Sequence, residues 1–288
     1  MAQRDAAWHE RMYNNRALVP DFATHFEHWR VRSAQVRQQE RCLLDVAYGE
    51  GTNETLDIFA ARAPDAPVVV FIHGGYWRSL DKADHSFVAA PLLEMGACVV
   101  VVNYALCPGT PDLPVTVPDI AWQCARALAW VWRHVGAHGG DRRNISVIGH
   151  SAGGHLAAML LACRWRELGV DLPPDLLRKA MSISGLFDLA PVARAPFVQA
   201  DLRLTPAQVR LASPASWPAP AGRMLQALVG GDESPEFVRQ NQLIRQAWGP
   251  RTVPVCEALP GLNHFSVLSA MGQPGHRLQA LAAQLLQA

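Results

Sequence analysis

The sequence predicts an α/β fold in which a mostly parallel central sheet carries helices on both faces. Continuous apolar runs such as 67–72 and 98–102 are typical of strands that are buried on both faces of a parallel sheet. Helical patterns separate successive runs, as they do in βαβ units. The 288 residues, half of them hydrophobic and 18% charged, suffice for one large core. We therefore expect a single domain over residues 1–288.

The N-terminal part of the chain has the pattern of an amphipathic helix over residues 20–40. A Pro-Asp pair is typical of a helix start, and Phe22, Phe26 and Trp29 follow at helical spacing. We expect this helix to pack on the surface of the domain, although a helix at this place could also lean over the mouth of a functional site.

Strand and helix patterns follow one another from residue 42 onward. Strand patterns occupy 42–48 and 55–59, joined by a Gly-rich turn that suggests a hairpin, and then 67–72, 98–102, 145–148, 179–184, 224–229 and 253–259. Helical patterns occupy 86–95, 119–135, 155–168, 236–248 and 277–286. From residue 67 this alternation predicts the parallel part of the sheet.

The segment 187–222 departs from the alternation. It contains six prolines and no strand pattern. Long connections of this kind are usually functional or are insertions. We interpret the segment as a small lid or rim insertion near the mouth of the site, with an ordinary helical connection as the alternative.

Composition limits the possible partners and the compartment. The net charge is +1 and no block of five or six like charges occurs, which argues against nucleic acid and against acidic membranes as partners. No apolar run is long enough to span a membrane, and the first residues do not look like a signal peptide. The six cysteines are scattered without a C-x-x-C pair, which fits a reduced, cytoplasmic location. A small-molecule substrate is the expected partner, and a homodimer is left open.

The stretch Gly149-His150-Ser151-Ala152-Gly153 has the form G-x-S-x-G. It lies between an apolar strand pattern and a helix-prone run, which is the context of a nucleophile elbow. In such a turn the serine has a strained backbone, and small neighbours allow the strand and the helix to pack closely. The sequence therefore predicts Ser151 as a nucleophile, with the amide of Ala152 facing the same space.

A serine nucleophile needs a base within hydrogen-bond reach, and three histidines follow Ser151 in the chain. His155 belongs to the helix directly after the elbow and cannot easily reach back. His276 stands at the start of the terminal helix, where we expect it to be solvated. His264 follows the strand pattern 253–259 and a Pro-Gly turn, at the carboxyl end of a strand, where active sites of parallel sheets lie. We expect His264 to be the base.

The third member of such a triad is a carboxylate, for which Asp188, Asp201 and Asp232 are the candidates. Asp232 follows the strand pattern 224–229 and two glycines, one unit before the histidine strand, and we prefer it. Asp188 is the second choice. Asp232 could instead be a helix N-cap, but Ser234 can take that role.

The sequence His73-Gly74-Gly75 follows a buried strand pattern. Two glycines allow the backbone to approach a reacting carbon and to present N–H groups to a developing oxyanion. We therefore expect the amides of Gly74, Gly75 and Ala152 to form an oxyanion hole.

Six stretches of the chain resemble the arylformamidases (kynurenine formamidases) of the α/β-hydrolase fold, within the broader group of hormone-sensitive-lipase-like esterases. The H-G-G and G-x-S-x-G motifs are shared with the broader group, whereas H-G-G-x-W and D-x-S-P-E-F are narrower. The stretches are 13–16, 73–77, 149–154, 182–189, 230–237 and 262–265. The resemblance spans nearly the whole chain, and it implies that the nucleophile, acid and base are Ser151, Asp232 and His264.

The resemblance implies a serine hydrolase that needs no metal or other cofactor and converts N-formyl-kynurenine to kynurenine and formate. A carboxylesterase for small acyl esters is the alternative, and a binding protein that has lost catalysis is a third reading that the complete motif set disfavours. Candidates for contact with an aromatic substrate are Tyr76, Trp77, Phe187 and Phe265, each of which could equally be core packing. For the charged groups of an amino-acid substrate the sequence offers only Arg194, Arg203 and Asn263 as guesses.

Overall fold

The computed structural model describes residues 4–287 and contains one eight-stranded sheet of order β1-β2-β4-β3-β5-β6-β7-β8. Strand β2 is antiparallel to both of its neighbours, and β3 to β8 are parallel. The strands are β1 Cys42–Ala47, β2 Thr55–Phe59, β3 Ala66–Ile72, β4 Cys98–Val102, β5 Gly140–His150, β6 Lys179–Ile183, β7 Met224–Gly230 and β8 Val255–Leu259. The predicted fold class is confirmed as an α/β-hydrolase fold.

Helices connect the parallel strands and cover the sheet. The α-helices of the described part are α1 Ala6–Tyr13, α2 Asn15–Leu18, α3 Phe22–Gln39, α4 Ala89–Glu94, α5 Val117–His134, α6 Ala152–Leu161, α7 Trp165–Leu168, α8 Pro196–Leu202, α9 Pro206–Leu211, α10 Pro235–Thr252, α11 Ser266–Ser269 and α12 Arg277–Leu286. Between residues 4 and 287 no helix has the length and apolar character needed to cross a membrane. The expected domain 1–288 includes residues 1–3 and 288, which lie outside the described residues.

Both faces of the sheet are buried, which explains the unbroken apolar runs in the sequence. Along β3, Val68 and Val70 belong to one hydrophobic cluster, which also contains residues of α5, α6 and α10. The alternate residues Val69 and Phe71 belong to a second cluster, with residues of α3, α4 and α12. Successive side chains of a strand point to opposite faces, so a strand between two helical layers must be apolar at every position.

The N-terminal segment is tied to two loops at the carboxyl ends of the strands. The hydroxyl of Tyr13 donates to Glu236 at 2.7 Å, and the backbone oxygen of Tyr13 accepts from the hydroxyl of Tyr76 at 2.5 Å. Ser234 donates to the oxygen of Met12 at 2.6 Å. Residues 14–17 are thereby held beside the loop that follows β3.

The strand before the elbow and the helix after it differ in length from the sequence prediction. The strand before the elbow begins at Gly140 rather than 145, because Gly140 pairs with Ala66, and an irregularity in the register separates this pair from that of Ile145 with Val68. The helix after the elbow ends at Leu161, and a separate turn of helix occupies Trp165–Leu168. The segment 187–222 contains α8 and α9 with two short 3₁₀ turns, and no strand.

Candidate active site

Ser151 stands at a sharp turn between β5 and α6. Its backbone angles are φ 56° and ψ −116°, a left-handed conformation that is strained for a residue with a Cβ atom. The turn is possible because its flanking residues are glycines. A Cβ atom on Gly149 would lie 2.0 Å from the oxygen of Gly153, and one on Gly153 would lie 1.9 Å from the oxygen of Ile72. The strand–turn–helix geometry expected from G-x-S-x-G is therefore present.

His264 lies on the loop after β8 with its ring against Ser151. The distance from its Nε2 to Ser151 Oγ is 3.0 Å, and the residue is buried. His150 Nε2–H donates to the backbone oxygen of His264 at 2.8 Å, which holds this loop in place. Burial, and secondly the charge of His264, lower the pKa of His150 well below its usual value, so His150 stays neutral in this role.

The carboxylate against His264 belongs to Glu233. Its Oε2 lies 2.6 Å from His264 Nδ1, and its side chain is fully buried. Its other oxygen accepts from the amide of Gly230 at 2.8 Å and from the hydroxyl of Ser184. Three donors thus hold a buried carboxylate in one orientation, so the structure contains a Ser–His–Glu arrangement with the hydrogen bonds of a catalytic triad.

The structure corrects the predicted acid. Asp232 is exposed, and its backbone amide donates to the oxygen of Leu262 at 3.0 Å. This bond fixes the turn after β7 so that the following residue, Glu233, faces the imidazole. The other two candidates are engaged elsewhere: Asp188 accepts from the amide of Ala190 at 3.0 Å, and Asp201 pairs with Arg78.

The loop after β3, which carries the predicted oxyanion donors Gly74 and Gly75, passes beside Ser151. The hydroxyl of Tyr104 lies 2.9 Å from the oxygen of His73 and 3.2 Å from the oxygen of Gly74. Because the C=O and N–H of a trans peptide point in opposite directions, the amides of Gly74 and Gly75 face away from Tyr104. A Cβ atom on Gly74 would lie 3.0 Å from Ser151 Cβ, so this backbone passes directly beside the serine.

The third expected donor, the amide of Ala152, belongs to the first residue of α6. The first amides of a helix have no partner within the helix, and the positive end of the helix dipole lies there. Gly75 has φ 105°, and a Cβ atom at this position would lie 2.0 Å from the oxygen of Ser79. Only glycine fits this turn.

A cavity of about 390 Å³ opens over Ser151 and His264, which is within the range of small-molecule sites. Tyr76 and Phe265 line it, as predicted. Phe197 of α8 also lines it, although the sequence patterns did not single out this residue. Among residues 4–287 no group of three or more His, Cys, Asp or Glu side chains is arranged to hold a metal ion.

The structure differs from the prediction at the other two aromatic candidates. Trp77 and Phe187 are fully buried and belong to the hydrophobic core instead of the cavity wall. Trp77 packs edge-on against the ring of His155, with the ring centroids 4.9 Å apart. An apolar residue beside a loop motif satisfies the sequence pattern equally well whether it faces the cavity or the core.

The cationic residues that line the cavity are different from the polar residues that the sequence suggested. Arg194, Arg203 and Asn263 do not line the cavity; Asn263 instead caps the turn after it, accepting from the amide of Phe265 at 2.9 Å. The cationic residues that do line it are Arg16, from the N-terminal segment, and Arg78. The signal that could have identified Arg16 is the polar Asn-Asn-Arg stretch.

Comparisons with known proteins find relatives among formamidases and esterases. The BD-FAE family model matches residues 56–172, which include β3, β5 and the elbow. The kynurenine formamidase of Danio rerio is 31% identical over 261 residues, which cover 88% of this chain and 84% of the relative. The probable carboxylic ester hydrolase LipM of Mycobacterium tuberculosis is 38% identical over 123 residues, which cover 40% of this chain and 27% of the relative.

Among solved structures, a putative thioesterase from Silicibacter sp. TM1040 superimposes with a TM-score of 0.81 at 27% sequence identity. The alignment covers 97% of this chain and 98% of that one. The likeness therefore extends over most of the chain and beyond the sheet.

Proposed function

Since this chain belongs to the kynurenine formamidase family, and is a hydrolase, we propose that it converts N-formyl-kynurenine to kynurenine and formate. The proposal is supported by one combined observation: the chain resembles a kynurenine formamidase over most of its length, and it has the contacts of Ser151 with His264 and of His264 with Glu233. The reaction belongs to tryptophan breakdown.

In the proposed reaction Ser151 attacks the formyl carbon while His264 accepts its proton. The amides of Gly74, Gly75 and Ala152 donate to the oxyanion, and Glu233 stabilises the imidazolium that forms. His264 then protonates the nitrogen of the aryl leaving group, and kynurenine departs. Water repeats the cycle on the formyl-enzyme and releases formate.

The substrate's chemistry suits this site. An arylamine is less basic than an alkylamine and leaves more easily, so a serine triad suffices for this amide. Formyl is the smallest acyl group, and the acyl side needs little space beside the oxyanion loop. Tyr76, Phe197 and Phe265 supply an apolar wall for the aromatic ring.

We also propose that the segment 187–222 acts as a lid over the cavity. Phe197, from α8 of this segment, lines the cavity, and its amide donates to Glu10 at 3.0 Å. A cytoplasmic location is part of the proposal, because all six cysteines are free.

The second candidate is a carboxylesterase for small acyl esters. The match to a carboxylic ester hydrolase favours it, because the same triad chemistry cleaves esters. The test is kcat/KM for N-formyl-kynurenine compared with that for p-nitrophenyl acetate and butyrate. Efficient cleavage of the formamide supports the proposal, whereas poor cleavage of the formamide with efficient cleavage of butyrate supports the esterase.

A further inference from the structure

Two polar residues of the N-terminal segment, Asn15 and Arg16, line the cavity. Asn15 lines the cavity and is only 4% exposed, and its Nδ2 has no hydrogen-bond acceptor within residues 4–287. A buried amide without a partner costs free energy unless a ligand or water satisfies it. Asn15 therefore has an unused hydrogen-bond donor in the wall of the cavity.

Arg16 is the neighbouring cation at the cavity mouth. Its guanidinium lies over the rings of Phe22 and Phe26, 5.7 and 5.3 Å from their centroids. No carboxylate of the described chain forms an ion pair with it, in contrast to Arg78, which pairs with Asp201. Burial, and secondly the charge of Arg78, lower the pKa of Arg16. An uncompensated positive charge therefore stands at this wall.

A hydrogen-bonded path joins this wall to the reacting end of the site. Arg16 donates to Ser79 Oγ at 3.2 Å, and Ser79 Oγ donates to the oxygen of Gly75 at 3.1 Å. Gly75 is one of the proposed oxyanion donors, so the guanidinium lies two hydrogen bonds from the oxyanion loop. A ligand that reacts at Ser151 and extends across the cavity can reach Arg16.

We propose that Asn15 and Arg16 form a carboxylate subsite that binds the acid group of the substrate's leaving portion. Arginine donates to a carboxylate through two parallel N–H groups, and the Asn15 amide adds a further donor. The ligand class is an aryl ketone that carries a carboxylate on a short aliphatic chain. The inference rests on the proposed function for the identity of the substrate, but not for the existence of the subsite.

The test measures inhibition of p-nitrophenyl acetate hydrolysis by 3-benzoylpropionate and by its methyl ester. These compounds share the aryl ketone, and the methyl group of the ester removes the charge of the acid group. We expect the acid to bind the wild-type protein about 10- to 100-fold more tightly than the ester, as for a charge-assisted contact. Equal inhibition constants for acid and ester in the wild type would overturn the proposal without any variant.

Three variants test which residues cause the difference between the inhibition constants of the acid and the ester. Arg16→Gln should bring the ratio of the two inhibition constants close to one. Asn15→Asp should lower the affinity for the acid but not for the ester, because it places a like charge in the subsite. The matched control is Arg32→Gln, an exposed arginine of α3 that does not line the cavity, and it should keep the wild-type ratio.

The alternative role of Arg16 is to hold the N-terminal segment onto Phe22 and Phe26. That role predicts a lower unfolding temperature for Arg16→Gln and an unchanged ratio of inhibition constants, which would refute the subsite. The two proposals are separable. If N-formyl-kynurenine is not hydrolysed but the ratio of inhibition constants depends on Arg16, the proposed function fails and the subsite stands. If N-formyl-kynurenine is hydrolysed but the ratio of inhibition constants does not depend on Arg16, the proposed function stands and the subsite fails.

Discussion

Replacing Glu233 by Gln tests the acid of the triad at a single position. The change removes the negative charge from an atom 2.6 Å from His264 Nδ1 and keeps the size of the side chain. The remaining carbonyl oxygen can still accept from Gly230 and Ser184, so we expect the variant to fold. The matched control is Asp232→Asn, since Asp232 is the adjacent residue and is exposed.

The expected loss of kcat follows from the contact between Glu233 and His264. Two unit charges about 4 Å apart attract by about 4 kcal/mol at an effective dielectric constant of about 20. Loss of this attraction for the imidazolium lowers kcat by about a thousandfold, at about 1.4 kcal/mol for each factor of ten. The amide of Gln can also donate to Nδ1 and place the ring proton on Nε2, which then cannot accept the proton of Ser151. The expected loss is therefore about 10³- to 10⁴-fold in kcat.

The assay is steady-state hydrolysis of p-nitrophenyl acetate and N-formyl-kynurenine by both variants, with thermal unfolding as the check on folding. Asp232→Asn should stay within about twofold of the wild type, as is usual for an exposed position. If Glu233→Gln keeps its kcat while Asp232→Asn loses it, the assignment drawn from the structure is wrong and that drawn from the sequence is right.

Three further predictions concern the nucleophile, the oxyanion loop and acid stability. Ser151→Ala should abolish labelling by a fluorophosphonate probe, detected by mass spectrometry of the intact protein, and retained labelling would exclude this serine. Tyr104→Phe should lower kcat about 10- to 100-fold with little change in KM, because the oxygens of His73 and Gly74 lose a donor that orients the oxyanion amides. Burial lowers the pKa of His155 to about 4, so the unfolded state binds its proton first as the pH falls from 6.5. Urea unfolding should show about 3 kcal/mol less stability at pH 4 than at pH 7 from this group, and His155→Gln should reduce the difference.

The fold was predictable because the sequence of a strand shows whether one or both of its faces are buried. A run such as Val68–Ile72 is apolar at every position only if both faces are covered, which already implies the two helical layers. Ser151 and His264 were predictable for a related reason. The strained elbow needs its glycines. Only three histidines follow it in the chain, and of these His264 comes after the carboxyl end of a predicted strand.

The acid was not predictable to the residue, because the turn after β7 determines which of two adjacent carboxylates faces inward. Asp232 and Glu233 follow the same strand and the same two glycines. The deciding contact is the bond from the Asp232 amide to the oxygen of Leu262, a residue of another loop. A glutamate in the next position satisfies the same chemistry as an aspartate, so the motif alone does not distinguish the two.

The cavity wall was the least predictable part, because it is assembled from segments that are distant in the chain. Phe197 and Arg16 reach the cavity from α8 and from the N-terminal segment, and only Arg16 lies in a stretch, Asn-Asn-Arg, that could have drawn attention to it. Trp77 shows the opposite error, since its place in a motif suggested substrate contact and its side chain lies in the core. Side-chain direction in irregular backbone depends on tertiary packing, which has no sequence period.

The residues around Ser151 and the residues of the cavity wall are held by different parts of the fold. This difference has a functional consequence. Ser151, Gly75, Glu233 and His264 follow β5, β3, β7 and β8, and these parallel strands end at the same edge of the sheet. Their mutual positions are fixed by the register of the sheet, which any relative with this fold inherits. The residues at 14–16 and in α8 lie outside the sheet and are held by side-chain contacts. Changes there can therefore alter which substrate is bound without moving the triad.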